Sequence, residues 1–575
     1  MTASIQPKME TDKEYVETVE DAQPSPLVDE QRFPSTKPVL ALLAINSMAL
    51  AQIISIVGSG VLAQQTTGYL GNGDTSKAAW LSMSMTIFTL AFNPPLSQAA
   101  DYWGRKWIIL TTALGGFAGA IIISRAQNVS ALIAGFCVLG LSFGGQALFY
   151  TVVSEIVPRR FRAAAQATIN LTSGLGGIIA LLMGGGLLKN SEYGNYRIYW
   201  YVVAGLFFFS IAGVAVCYNP PPRQLESSLS TKQKLASLDW VGAFLLTGGL
   251  TTMAMALQWS DNPYKWGDAA PHVIAPFVVA VVLLVLFGVY EWKIKKDGLL
   301  HHSLFGDRNF VISLITIFTE GLAYFTSNSY YAFEVQVLTQ KNLFDAGLRY
   351  SIMFFSAGAF SVAVGAYTTW TRQLREPLIF GFVLLTVFNV LMSTITENTP
   401  QNVFWGYPVV CGMGIGVLLT NLTVITQMST PPAMVAITTG ILTATRSLGA
   451  TVALAINSAI FNGAISSNVP TKLADAVIPL GYPPEQLGLL IQAFMSGDQT
   501  AIQSIPDATP QLLGAAGAAM QSAYAASFRR VWICAAAFSA AGLVVACFLR
   551  NVKGEFTTQI DAPLSASSAK TDDER

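Results

Sequence analysis

Two oppositely charged residues lie deep inside apolar stretches of the sequence. Glu320 lies about ten residues, or roughly 15 Å of helix, into one stretch, and Arg446 has a comparable depth in another. A charge at the centre of a bilayer costs about 2.5–3.5 kcal/mol, so it is retained for a function or for a partner. Glu320 is therefore a candidate proton-binding site, neutral in one state and charged in another. The alternative is a permanent ion pair between Glu320 and Arg446 that only holds two helices together.

A second set of charged residues lies between two apolar stretches, in the segment Ser97–Lys106 with the sequence SQAADYWGRK. Gly104 permits a tight backbone turn. Arg105 and Lys106 are cations of the kind that is retained on the cytoplasmic side of a membrane. Asp101 could pair with Arg105 or accept from the start of the next helix. The segment predicts a turn at the membrane surface, and the alternative is an ordinary turn held there by its positive charge alone.

Composition indicates which elements carry these residues. The chain has 575 residues, of which 52% are hydrophobic and 11% are charged, whereas soluble domains carry about a quarter charged residues. Apolar stretches about 20 residues long, enough to cross a bilayer, follow one another along the chain. The fold class is therefore an all-α membrane protein. The net charge of zero gives no argument for nucleic acid, and no residue spacing predicts a metal or another cofactor.

Fourteen membrane-spanning helices are predicted. The polar, acidic residues 1–37 are expected to be a disordered tail, residues 463–529 an outer loop over the mouth of the cavity, and residues 551–575 a polar tail. The predicted spans are 39–61, 79–99, 107–124, 130–153, 165–187, 199–218, 240–258, 272–292, 310–336, 347–368, 377–395, 403–426, 433–461 and 531–548.

The distribution of Lys and Arg predicts the orientation. With both termini in the cytoplasm, 22 of the 33 Lys and Arg residues fall on the cytoplasmic side. This agrees with the positive-inside bias of membrane proteins. We expect a multi-pass protein of the plasma membrane with both termini cytoplasmic, and a vacuolar or vesicle membrane is the second choice.

The segment Ser97–Lys106 resembles the signature loop of the major facilitator superfamily, between the second and third helices of that fold. Ser97 and Tyr102 stand where the family usually has Gly and Arg. The matching residues are Asp101, Gly104, Arg105 and Lys106. The resemblance implies two six-helix halves related by pseudo-twofold symmetry. The implied division is an N-terminal bundle at 38–218, a cytoplasmic linker with an inserted helix pair at 219–308, and a C-terminal bundle at 309–550.

This layout of six, two and six helices resembles the fourteen-span drug:proton antiporter branch. The stretches FYTVVSEIVPRRFR, SLDWVGAFLLTGGL and ALQWSDNPYKWGDAAPHVI resemble fungal trichothecene efflux pumps and siderophore transporters. The resemblance implies proton-coupled efflux of a secondary metabolite, toxin or drug by alternating access, without enzymatic activity. The alternative is proton-coupled uptake of a siderophore–iron complex. Two features depart from the branch: Phe136 replaces a usual Arg in span 4, and span 5 lacks a usual Pro.

In the family, a carboxylate at the end of span 4 joins the signature loop in a charge cluster that latches one end of the helices. The matching residue is Glu155, which is predicted to meet Asp101 and Arg105. The resemblance therefore implies a gate composed of the signature loop and Glu155. The alternative for Glu155 is a simple surface pair with Arg159.

Amide and aromatic side chains inside the spans predict the substrate cavity. Glu334, near the outer end of span 9, is expected to be wetted there. The cavity candidates are Gln64, Gln146, Asn170, Tyr324, Asn328, Tyr331 and Asn421. Such side chains suit a large, mostly apolar, uncharged small molecule, whereas the alternative for each one is helix packing. The expected partners are this molecule, protons and the lipid bilayer, for a protein that we expect to be a monomer.

Overall fold

The computed structural model describes residues 36–74, 77–188, 193–221, 226, 230–259, 270–295, 298–339, 343–496, 505, 509–562 and 564. Residues 1–35 of the predicted N-terminal tail and residues 565–575 of the C-terminal tail lie outside this part.

The described part contains fourteen long helices, numbered α1 to α14 in chain order. Thirteen are long and apolar enough to cross a membrane. The fourteenth, α2, has 25 residues and a more polar sequence, and it packs between α4 and α13. The bounds are α1 Thr36–Leu70, α2 Ala79–Trp103, α3 Arg105–Arg125, α4 Val129–Glu155, α5 Arg162–Leu187, α6 Tyr196–Cys217, α7 Trp240–Trp259, α8 Ala270–Val289, α9 Arg308–Thr339, α10 Leu343–Thr371, α11 Arg375–Ser393, α12 Val403–Met428, α13 Val435–Val477 and α14 Pro510–Ala546.

The helices form two bundles and an inserted pair, as the predicted fold class requires. Helices α1–α6 enclose one buried apolar core and α9–α14 enclose another. Helices α7 and α8 pack on each other, and α7 also contacts α2 and α13. The two bundles meet along two seams, one between α5 and α10 and the other between α2 and α13. We call the end of the molecule that carries the α2–α3 turn the loop face, and the other end the opposite face.

Residues 463–529, predicted as an outer loop, are helical over most of their described length. Helix α13 has 43 residues and α14 has 37, so each exceeds the roughly 20 residues that cross a bilayer. Hydropathy detects only the part of a helix that crosses the lipid, and these extensions are held by contacts with each other. Lys472 Nζ donates to Ser522 Oγ at 2.6 Å, and Asn468 donates to Ser527 at 3.0 Å.

Helix α4 bends at Gly145, in the middle of its length. The side-chain oxygen of Asn93 accepts from the Ala147 N–H at 2.8 Å, and its NH₂ group donates to the Phe143 carbonyl at 3.1 Å. These bonds satisfy backbone groups that the bend removes from the helix ladder. Gln146, a predicted cavity residue, begins the second segment of α4.

Candidate functional site

Glu320 on α9 and Arg446 on α13 form a bidentate ion pair between the two helices. Arg446 Nε lies 2.7 Å from Glu320 Oε2 and Nη2 lies 3.0 Å from Oε1. Glu320 is fully buried, whereas the Arg446 side chain is 22% exposed. The guanidinium also lies over the rings of Tyr324 and Phe325, at 5.1 and 5.3 Å from their centroids. The two charges are therefore paired in this state, and the arginine faces the space between the bundles.

Two glycines bring the backbones of α9 and α13 close enough for this pair. A Cβ atom at Gly321 would lie 2.5 Å from the carbonyl oxygen of Arg446. A Cβ atom at Gly449 would lie 2.5 Å from the carbonyl oxygen of Phe318. Only glycine permits this approach, since real Cβ atoms do not come so near to a carbonyl. Gly449, three residues after Arg446, thus has a local role in positioning Arg446.

A cavity of about 670 Å³ lies between the bundles, on the opposite-face side of this pair. It is enclosed by residues of α1, α2, α7, α9 and α13, and no charged side chain is among its described lining residues. Ser329 on α9 lies nine residues beyond Glu320, which is about 13 Å along a helix. The amides and aromatic rings that line it are those of Gln64, Gln65, Gln336, Tyr330, Phe333 and Phe461.

Of the predicted cavity residues, Gln64 lines this space and the other six do not. Tyr324 packs on Arg446, as described above, and Gln146 begins the second segment of α4. Asn328 accepts from the Tyr350 hydroxyl at 3.3 Å, and Tyr331 stacks on the same ring at 5.2 Å. Tyr331 is buried in the core of the second bundle, whereas Asn328 is exposed and contacts α10 through Tyr350.

The last two predicted cavity residues join helices. Asn170 on α5 donates to Thr420 on α12 at 2.9 Å, a contact between the two bundles. Asn421 accepts from Thr368 at 3.0 Å inside the second bundle. Both are packing contacts, which was the alternative interpretation of these polar side chains.

The residues that do line the cavity follow a helical spacing that the sequence carries. On α9 they include Ser329, Phe333 and Gln336, and on α13 they include Thr451, Ala455 and Ser458. Both sets have the spacing i, i+4, i+7 of one helix face. The predicted residues Tyr324, Asn328 and Tyr331 have the same spacing on another face of α9, and their contact with a substrate stays a prediction.

On the loop face, Arg105 is the centre of a buried charge cluster. Its Nη2 lies 3.3 Å from Asp101 Oδ1, and Nη1 pairs with the carboxylate of Glu155. Arg105 is 2% exposed and Glu155 is 1% exposed. Gly104 has a φ angle of +83°, which makes the turn between α2 and α3. The structure thus brings together the three side chains that the signature loop predicts.

Lys106 takes a different role from its neighbours in the motif. Its Nζ donates to the Ala215 carbonyl at 2.8 Å and contacts the side chain of Asn219. These groups lie at the end of α6, where the last carbonyls of a helix attract a cation. Lys106 therefore fixes α3 to α6 and is not part of the cluster around Arg105.

Residues 551–562, which we call the C-terminal strap, cross the loop face from one bundle to the other. At its start, Asn551 Oδ1 accepts from the backbone N–H groups of Leu374 and Arg375 at 2.8 and 3.0 Å. At its end, the Ala562 N–H donates to the carbonyl of Glu155 at 3.0 Å. The strap therefore connects the α10–α11 turn of the second bundle to the end of α4 in the first.

Ion pairs hold the strap on the α4–α5 turn. Arg159 lies 2.7 Å from Glu555 and 3.1 Å from Asp561. Arg162 also pairs with Asp561, and the side chains of both residues are nearly fully buried. Arg159 thus pairs with the strap instead of Glu155, contrary to the alternative considered from the sequence.

Uncharged polar contacts complete the closure of the loop face. Gln427 on α12 accepts from Ser154 on α4, and it donates to Thr439 on α13 at 3.0 Å. Together with the strap, these contacts join the bundles on one side of the ion pair, whereas the Arg105 cluster lies within the first bundle. The cavity on the other side reaches Gln65 and Gln336 near the opposite-face ends of α1 and α9. The bundles are therefore joined on the loop face, and towards the opposite face the cavity separates α1 and α2 from α9 and α13, while α5 still packs on α10.

Comparison with known proteins decides the family. The family model for the major facilitator superfamily matches residues 39–454. The chain belongs to the major facilitator superfamily. Proteins of this superfamily are membrane transporters for small molecules, and the two bundles with a cavity between them are consistent with that activity.

Curated relatives of this superfamily member include fungal efflux pumps. The efflux pump FUS6 of Gibberella fujikuroi is 24% identical over 556 residues, covering 93% of this chain and 94% of FUS6. The trichothecene efflux pump TRI12 of Fusarium sporotrichioides is 23% identical over 486 residues, covering 81% of this chain and 78% of TRI12.

Among solved structures of the superfamily, the chain resembles the proton:xylose symporter XylE bound to 6-bromo-6-deoxy-D-glucose. The TM-score is 0.53 at 12% sequence identity, covering 91% of this chain and 98% of XylE. At this identity the likeness shows the shared fold alone.

Proposed function

We propose that this transporter exports a large, mostly apolar secondary metabolite, toxin or drug, and that a proton gradient drives the export. The observation that carries the proposal is an uncharged cavity between the bundles, with a buried Glu320–Arg446 pair beneath it. The names of the relatives, which describe efflux pumps, support the direction of transport.

The cavity favours a neutral ligand with several hydrogen-bonding groups. Its volume of about 670 Å³ falls within the range of pockets that hold drug-sized molecules. Its aromatic rings offer apolar contact, and Gln64, Gln65 and Gln336 offer both donors and acceptors. A charged substrate would lose its hydration there without gaining an opposite charge from the described lining residues.

Glu320 and Arg446 supply the coupling step of this proposal. In the state with a closed loop face, Arg446 makes two hydrogen bonds to the Glu320 carboxylate. A proton on Glu320 would cancel the negative charge that holds Arg446 there. Breaking a buried pair by neutralising one partner costs about 3–5 kcal/mol. Protonation would therefore weaken the contact between α9 and α13 and favour the state that is open to the loop face.

In this proposal the loop face is the gate, and protonation of Glu320 favours its opening. In our proposal it faces the cytoplasm, in agreement with the positive-inside bias of the sequence. The cavity of the present state then faces the outside, the side from which protons enter and to which the substrate leaves. The plasma membrane is the proposed location, with a vacuolar or vesicle membrane second.

Deletion of the gene, followed by comparison of metabolites inside and outside the cells, tests this proposal. We expect at least one metabolite to accumulate inside the deletion strain and to be exported again when the wild-type gene is restored. Glu320→Gln should not restore export, whereas Glu397→Gln, which alters an exposed carboxylate, should restore it fully. Unchanged metabolite distribution combined with lost uptake of iron–siderophore complexes would favour the import alternative instead.

A further inference from the structure

Helix α9 carries a second buried carboxylate, Glu334, whose surroundings differ from those of Glu320. It lies 14 residues beyond Glu320, about 21 Å along the helix towards the opposite face. The sequence predicts a water-exposed side chain there, but Glu334 is 1% exposed. Trp532 on α14, itself fully buried, donates its indole N–H to Glu334 Oε2 at 2.7 Å.

No cation pairs with Glu334 among the described residues. Titratable side chains on the opposite-face halves of the helices around α9 are Tyr330, Tyr331, Asp345, Arg349, Tyr350, Tyr407, Cys411, Lys472, Asp475, Tyr524, Arg529, Arg530 and Cys534. Arg349 donates to Gln401 and lies over the ring of Trp405. Lys472 donates to Ser522, as described above, while Arg529 and Arg530 are exposed.

A buried carboxylate with one neutral donor and no cation is unfavourable, because the charge has lost its hydration without gaining a counter-charge. The carboxylic acid form avoids this cost. The acid also keeps the observed contact, since its carbonyl oxygen accepts from the Trp532 indole as well as a carboxylate oxygen does. The site therefore favours a bound proton in the state described here.

The helix itself links this proton to the cavity. Tyr330, Phe333 and Gln336 of α9 line the cavity, and Glu334, one helical turn after Tyr330, faces α14. Water reaches Glu334 only if α9 and α14 separate or α9 turns about its axis. Movement of the cavity-lining face of α9 and release of the Glu334 proton are thus expected to occur together.

We propose that Glu334 is a second proton-binding group of this transporter, which exchanges its proton with the opposite face when α9 moves relative to α14. The role of Glu334 in transport rests on the proton coupling proposed above. The assignment of a bound proton to Glu334 rests only on the surroundings of its side chain. The exchange is a simple acid–base step, in which the carboxylic acid releases one proton to water and becomes a carboxylate.

Infrared difference spectroscopy of the purified transporter in lipid nanodiscs tests this proposal, with pH as the only variable. We expect the wild type to show the carbonyl-stretch band of a buried carboxylic acid at neutral pH and to lose it in alkaline buffer. Glu334→Gln should remove that band, while Glu320→Gln should leave it in place. Trp532→Phe keeps the carboxyl group but removes its donor, so we expect the band to remain and to shift in frequency.

A wild-type protein without this band, or a band that survives Glu334→Gln and does not shift in Trp532→Phe, would overturn the proposal. Proton counting with a pH indicator after an alkaline jump gives a second measurement, and Glu334→Gln should release one proton fewer than the wild type. A transporter that shows the band but exports nothing in response to a proton gradient would refute the proposed function and leave this assignment standing.

Discussion

The two faces of the transporter are built from different chemistry. On the loop face, charged side chains are buried and paired, as Arg105 with Glu155 and Arg162 with Asp561 show. Towards the opposite face, the described lining of the cavity has aromatic rings, hydroxyls and amides without charge. In our proposal the difference corresponds to a division of roles, in which buried charges control the state of the bundles and neutral groups contact the substrate.

This division has an energetic consequence. Removing one partner from a buried ion pair costs about 3–5 kcal/mol because the other charge is left unpaired. Losing one neutral hydrogen bond in a partly wetted cavity costs about 0.5–1.5 kcal/mol. Substitutions on the loop face should therefore change which state is populated, whereas substitutions in the cavity should change affinity by a smaller amount.

The largest effect is expected from Glu155→Gln, which leaves the buried Arg105 without its nearest carboxylate. Since Asp101, Arg105 and Glu155 all lie in the first bundle, we expect the ends of α2, α3 and α4 to lose about 3–5 kcal/mol of stability and the strap, which binds the Glu155 carbonyl, to loosen with them. Spin labels on Trp107 and Trp370, exposed residues of the two bundles at the loop face, would report this as a longer distance. Asp101→Asn is the milder variant, since Asp101 is more exposed and its contact with Arg105 is 3.3 Å. Equal effects of the two variants would refute the central role given to Glu155.

A smaller effect is expected from Asp561→Asn in the C-terminal strap. Asp561 is 2% exposed and contacts both Arg159 and Arg162, so its neutral form should loosen the strap and increase the distance between the same spin labels. Glu555→Gln is the matched control, because Glu555 also pairs with Arg159 but is 45% exposed. Exposed pairs contribute about 0–1 kcal/mol, so the control should resemble the wild type. A control that opens the loop face as far as Asp561→Asn would show that burial of the pair is unimportant.

The smallest effect is expected from Gln336→Ala in the cavity. We expect a loss of affinity of about 0.5–1.5 kcal/mol for substrates that hydrogen-bond to the amide, without a change in the distance between the loop-face labels. Relative export of several metabolites by the variant would measure this change in selectivity. Asn328→Ala, on the neighbouring face of α9 that contacts Tyr350, should leave the relative export unchanged. If Asn328→Ala changed the relative export and Gln336→Ala did not, the substrate would contact the face of α9 that the sequence predicts.

The sequence allows the fold and the charge clusters to be predicted because their signals are local. Apolar stretches define the helices, and the resemblance of Ser97–Lys106 to the signature loop of the superfamily implies the contact of Asp101 and Arg105 with Glu155 at the end of α4. Glu320 and Arg446 can be identified because they are charged residues inside apolar stretches, where a charge needs a partner. Each of these inferences depends on a short segment or on one energetic rule.

Other features depend on packing that no short segment reveals. Close packing of α9 on α13 at Gly321 and Gly449 limits how α9 can be rotated about its axis, so no short segment shows which of its faces lines the cavity. Burial of Glu334 results from α14, which lies almost 200 positions away, through Trp532. The contact of Asp561 with Arg162 joins residues 399 positions apart, and nothing in either segment predicts it.

The central claim is that closure of one face and opening of the other are coupled through the bundles. Double electron–electron resonance measures it directly in a cysteine-free background, with one label pair at Trp107 and Trp370 and another at Gln127 and Asn402, exposed residues near the opposite face. In Glu155→Gln, we expect the first distance to increase and the second to decrease. An increase at the loop face with an unchanged distance at the opposite face would contradict alternating access.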